Sequence, residues 1–108
     1  MTKTYIGERD SDGTTRVYVR EAGKTTHALA LRLNLFNHSP TGFEWGYAGS
    51  GPAQLALALL ADALADGTTA VALHQRYKFE VVAELPRDGW QLSAEQVRTV
   101  AMRIKRTK

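Results

Sequence analysis

The 108-residue sequence contains no cysteine. Disulfides and thiolate metal sites are excluded, and a reducing compartment is the natural expectation. No long apolar run is present either. The longest, Leu55 to Ala61, is far too short to cross a bilayer. The opening residues, Met1 to Ile6, hold no apolar secretion segment. A soluble cytoplasmic protein without a membrane partner is expected. Cationic residues are missing throughout residues 37–61, which argues against a base-stacking nucleic-acid surface there, because stacking platforms are flanked by Lys or Arg.

What is present is ordinary globular material, 44% hydrophobic and 23% charged, in a length that fits one domain over residues 1–108. The net charge of +3 is unevenly placed. Arg98, Arg103, Lys105, Arg106 and Lys108 all follow the last acid, Glu95, which leaves residues 1–97 at −2. The positive balance therefore belongs to the C-terminal segment, and a broad nucleic-acid face is not implied.

The pattern predicts class α+β: an antiparallel sheet of about four strands followed by three helices packed on one face. Thr4–Arg9 and Thr15–Glu21 read as strands around the turn residues Asp12-Gly13. Val17 and Val19 share one face of the second, with Arg16, Tyr18 and Arg20 on the other. The alternation Leu29, Leu31, Leu33, Leu35 predicts a third strand, and Phe43, Trp45, Tyr47 a fourth, with Gly46 marking a bulge or a close backbone approach. A helix follows, capped by Ser50 or Gly51, with Pro52 at its first position, running to Asp66-Gly67. It is apolar on nearly all sides, as a central helix between sheet and other helices must be. A second helix is expected from about Ala70 to Leu85, capped by Thr68 or Thr69 and ended by Pro86, with Arg76 and Glu80 paired on its wet side. Trp90 and Leu92 are expected to anchor the chain to the core. Ser93 and Gln96 form a capping box for a third helix with Val97, Val100, Ala101 and Ile104 on its apolar stripe.

The densest chemistry lies in residues 37–52, where His38, Glu44, three aromatics, four glycines and two prolines sit between two leucine-rich elements. Loops of that composition carry sites. The run Asn37-His38-Ser39-Pro40-Thr41-Gly42-Phe43-Glu44-Trp45-Gly46-Tyr47, then Gly49-Ser50-Gly51-Pro52-Ala53-Gln54-Leu55, resembles domain-of-unknown-function family 6166, an uncharacterised bacterial and phage family. Tyr77 to Ala83, Leu85-Pro86 and Trp90 extend the resemblance over most of the chain. Ala48 stands where the family pattern expects a glycine, which argues against an obligatory positive φ there. The resemblance implies no activity and no cofactor. It implies a context, small proteins of phages and other mobile elements.

Each motif has a structural reading beside its functional one. Gly49-Ser50-Gly51 at a helix start could bind an anion, but no Lys-Ser/Thr pair follows as in a phosphate loop, and a tight turn suffices. His38, Ser39 and Glu44 offer a base, a nucleophile and an orienter, yet neighbouring side chains diverge. Glu44 is expected to meet Arg32 or Arg20 across strands. His27, His38 and His74 have no ligand-spaced partners, so no metal is expected, and His74 reads as a satisfied group at the core edge. Phe43, Trp45 and Tyr47 are expected to pack beneath the helix that begins at Pro52. The basic C-terminal helix could contact phosphates, although cations at a helix C-terminus are favourable for the dipole alone.

The reading these features support is a small non-enzymatic protein that docks to another protein, such as an inhibitor of host defence or a regulator. Its candidate contact residues are Asn37, His38, Ser39, Thr41, Glu44, Arg32 and Arg76. The alternatives are nucleic-acid binding through the basic helix and an enzyme with its site at His38 and Glu44.

Overall fold

The computed structural model describes residues 2–107. Strands β1 (Lys3–Arg9) and β2 (Thr15–Glu21) form a hairpin. A two-residue strand, β3 (His27–Ala28), pairs with β2. Helices α1 (Ser50–Leu64) and α2 (Gly67–Glu80) follow, then a single 3-10 turn, Val82–Glu84. Strand β4 (Gly89–Ser93) returns beside β1, and α3 (Ala94–Arg106) completes the chain. The sheet order is β3-β2-β1-β4, antiparallel throughout.

The α+β class, the four-stranded antiparallel sheet and the three helices are as the pattern predicts. Two strands lie elsewhere than expected, and β4 falls between α2 and α3 rather than before the helices. The leucine alternation over 29–35 is not a strand. Leu29 N–H still reaches Val17 O at 2.9 Å, after which the chain peels off the sheet edge. Arg32 turns it at φ 61°, a left-handed conformation that a strand cannot contain. Leu29 is buried, Leu31 and Leu35 pack against the core, and Leu33 faces solvent. Phe43–Tyr47 is also irregular. Gly46, at φ 86°, interrupts it, and its N–H donates to Val82 O across a close backbone approach. The fourth strand is instead Gly89–Ser93, where Trp90 and Leu92 anchor the chain by pairing with Gly7 and Tyr5 of β1.

Tyr5, Val17 and Val19 line the face of the sheet that meets α1, and Tyr5 O–H donates to Asp62 of that helix at 2.6 Å. Every residue from Gly51 to Ala61 is buried, because α2 and α3 pack on α1 as well. The N-cap of α1 is Gly49 rather than Ser50 or Gly51, and no side chain caps it. The cap of α2 is Asp66, which accepts from Thr69 N–H, rather than either threonine. That helix stops at Glu80 instead of Leu85. Pro86 holds Leu85 in extended backbone, the intervening residues tighten into the 3-10 turn, and Val82 O is left to accept from Gly46. Arg76 and Glu80 pair as expected, at 2.8 Å.

The capping box of α3 is present in both directions: Gln96 N–H donates to Ser93 Oγ at 3.0 Å and Ser93 N–H to Gln96 Oε1 at 2.8 Å. Ser93→Ala is expected to lower stability by about 1 kcal/mol, read as a shift of the urea midpoint with unchanged slope.

Candidate functional site

The 21 residues between β3 and α1 hold almost no regular structure, yet they are firmly tied. Their anchor is Gln54, fully buried in the first turns of α1. Its Oε1 accepts from His38 N–H at 2.7 Å and Ser39 N–H at 2.9 Å. Its Nε2 donates to Leu31 O at 2.7 Å and Phe36 O at 3.0 Å. One side chain thus closes the backbone of a loop that no strand partner supports.

Beside it lies a histidine pair. Nε2 of His38 and Nε2 of His74 are 2.9 Å apart, and His74 Nδ1 lies 2.7 Å from Val71 O. Phe36 stacks on the His38 ring at 4.2 Å and 13°. Burial pushes His38 below its ordinary 6.5, and His74 and the Lys78 ammonium push in the same direction. His74 is buried and hydrogen-bonded, the satisfied core-edge group expected. Its partnership with His38 is not visible in the sequence spacing.

Glu44 makes a second tie. It meets neither Arg32 nor Arg20 but receives Arg9 of β1 in a two-pronged pair, at 2.7 and 3.1 Å. The guanidinium also lies over Trp45, 5.0 Å from the ring centre. Hydrogen bonding from Arg9 holds the Glu44 carboxyl below the usual carboxylate range. Trp45 is fully buried, donates from Nε1 to Arg87 O, and meets Trp90 edge-on at 5.5 Å. Phe43 is buried as expected. Tyr47 is not, because its ring lies over Gly49 at the surface and remains 49% exposed.

The other sequence candidates scatter. Arg32 belongs to a separate cluster in which Asp62 collects Lys3 at 3.1 Å, Tyr5 and, at 3.5 Å, Arg32. Burial, then the Asp62 carboxylate, raises the Tyr5 phenol well above its ordinary value. Arg76 shares Glu80 with Arg103, on a face that none of the loop ties reaches. Ser39 Oγ donates to Gly42 O. Asn37 and Thr41 are exposed, without side-chain hydrogen bonds among the described residues. At the Gly49-Ser50-Gly51 turn, Glu44 closes over Gly51 and the Tyr47 ring over Gly49. In the basic helix, Arg98 donates to Ala63 O at 3.4 Å and Arg103 to Glu80. Lys105 and Arg106 are exposed, and Lys108 lies outside the described residues.

Sequence reasoning missed Gln54, Arg9 and Lys78. A signal existed for the first: Gln54 is the single polar residue between Pro52 and Ala61. A polar side chain within such a run is buried, and a buried amide needs partners.

The geometry defines an α+β domain that displays one long loop, clamped from beneath by a buried amide and an imidazole pair. The family model that matches is a family of unknown function (DUF6166), over residues 5–103. The chain belongs to that family. No curated protein and no solved structure gives a significant match.

Proposed function

We propose that this is a non-enzymatic binding protein and that the 29–49 loop is its docking surface. One observation carries the reading: a loop tied at its base holds three large apolar side chains out to solvent. Leu33 is 36% exposed, Phe36 48% and Tyr47 49%. Pre-ordered aromatic groups are the usual anchors of protein interfaces, because little conformational entropy is lost when they dock. The reactive groups of the loop already have internal partners. His38 is bound to His74, Glu44 to Arg9 and Ser39 to Gly42. None faces another as nucleophile and base.

The partner is a protein with an apolar pocket. Its pocket takes the Phe36 ring, which is 48% exposed. The phage and mobile-element context implied by the family resemblance points to a host protein, with inhibition or regulation as the outcome.

The test is capture from host lysate by the immobilised full-length protein, repeated with Phe36→Ala and Tyr47→Ala. A stoichiometric partner is expected, bound about tenfold or more weakly by either variant, with circular dichroism unchanged. Absence of a saturable partner, or a partner indifferent to both substitutions, overturns the reading.

A further inference from the structure

We propose that the groove between α2 and α3 is a binding site for a small, uncharged, largely apolar molecule that carries one hydroxyl, of the alkylphenol class. The site goes beyond docking, since no residue of the 29–49 loop lines it.

The groove follows from how three elements meet. Helices α2 and α3 pack on α1 and on each other. Between them, beside Leu92 of β4, remains a cavity of about 360 Å³. Sites for small ligands span about 300–1,000 Å³. Val81, Leu92 and Val100 form its apolar walls, and each is half-buried, packed against the core from behind. One turn beyond Val100, Arg103 is bound to Glu80 at the end of α2, at 2.9 Å. The two helices are thus tied beside the groove.

Tyr77 supplies the polar group within. It is 1% exposed and lines the cavity from α2. Tyr5, the other phenol of the core, gives its O–H to Asp62. The Tyr77 hydroxyl has no hydrogen-bond partner among the described residues, and burial alone raises it above its ordinary value. A hydroxyl buried without a partner is costly. It is not sealed, however. Among the described residues, the side-chain polar atom both shut from solvent and unpartnered is Trp90 Nε1. The remaining access to Tyr77 is through the groove that it lines. A ligand oxygen seated there accepts the phenol hydrogen and removes the cost.

The rest of the lining sets the ligand's charge and shape. Glu95 is the one charged residue of the cavity, exposed and without an ion pair among the described residues. It repels an anion. A cation is drawn to it but finds no counter-charge between the apolar walls. Gln96, beside Glu95, already gives its Oε1 to the α3 capping box. A purely apolar guest would cover the walls and leave Tyr77 unpaired. A single ring with a short alkyl group and one hydroxyl answers both the walls and the phenol.

The experiment is NMR titration of the full-length protein with p-cresol, toluene and benzoate. With p-cresol, saturable shifts are expected in the amides of residues 77–81, 92 and 95–100. Toluene, which lacks the hydroxyl, is expected to bind about tenfold more weakly, and benzoate to give no saturable shift. Tyr77→Phe keeps the ring and loses the hydroxyl, so its affinities for p-cresol and toluene are expected to agree within about twofold. Val100→Phe fills the groove and is expected to abolish both. If that variant does not fold, the native chain and Tyr77→Phe decide. Equal affinity of the native chain for p-cresol and toluene, a preference that survives Tyr77→Phe, or shifts scattered beyond these segments overturns the site. So does a dimer, seen by sedimentation, that buries the groove. Docking is read separately through Phe36→Ala, so the two failures are distinct.

Discussion

Gln54→Leu is expected to lower stability by about 3 kcal/mol, among the largest effects of any single substitution in this chain. The new side chain has similar volume and suits the apolar run on either side. What disappears is the hydrogen bonding of four backbone groups: the N–H of His38 and Ser39, and the carbonyls of Leu31 and Phe36. Each group left unpaired away from water costs about 1–3 kcal/mol, reduced here because the loop can lift and let water in. A domain of this size commonly has about 5–15 kcal/mol in total, so roughly a fifth to three fifths of the stability is at stake. Thermal unfolding is the check. The melting temperature is expected to fall by more than about 10 °C, with the amides of residues 29–41 losing protection well before those of α1. A midpoint within a degree or two of wild type would show that the amide does not hold the loop.

Gly7→Ala is expected to cost about 2–3 kcal/mol, although it adds a single methyl group to a strand that ordinarily welcomes one. Gly7 lies on the core face of β1, opposite Trp90 of β4. The indole rests directly on its Cα, and a Cβ there would overlap the ring at Cε2 and Nε1. Trp90 has little room to retreat. It is buried and set edge-on to Trp45, which is fixed by Arg87 O and the Arg9 guanidinium. The test is a double-mutant cycle with Trp90→Leu. That substitution removes the ring and also the indole N–H, which is buried without a hydrogen-bond partner among the described residues. Chemical denaturation is expected to show that Gly7→Ala is nearly neutral once the indole is gone, with a coupling of about 2–3 kcal/mol. Strict additivity would place the cost somewhere other than this contact.

Both substitutions act where local pattern and tertiary outcome part company. The period of two through Leu29–Leu35 is the signature of a half-buried strand, and Leu29 and Leu31 do turn inward on either side of exposed Ala30, but Leu33 already faces solvent. A strand, however, is defined by a neighbour. Beyond Leu29 the chain leaves β2, turns at Arg32, and passes its carbonyls to Gln54 rather than to a sheet. The converse holds at Gly89–Ser93. Two apolar residues, Trp90 and Leu92, give too little alternation to announce a strand, yet β1 has an open edge and the segment fills it. Elements whose signals are local were legible: the β1–β2 hairpin with its Asp12-Gly13 turn, the apolar α1, and the Ser93/Gln96 box of α3.

The candidate site divides the same way. That residues 37–47 form the chemically rich loop follows from composition. That His38 meets His74, 36 positions away, and that Glu44 meets Arg9, 35 positions away, follows only from how the α1–α2 hairpin and the sheet are stacked. Exposure of Tyr47 beside buried Trp45 is likewise a tertiary result, because the positive φ of Gly46 breaks the alternation between them.

The sequence by itself determined the class of fold, the buried central helix, the Ser93/Gln96 capping box of α3, and family membership, since these rest on periodicity and short spacing. The tertiary structure alone decided which segment completes the sheet, what clamps the long loop, and which imidazoles touch. Those outcomes depend on unpaired edges and buried polar groups finding partners far along the chain, and spacing carries no record of a partner that folding brings from elsewhere.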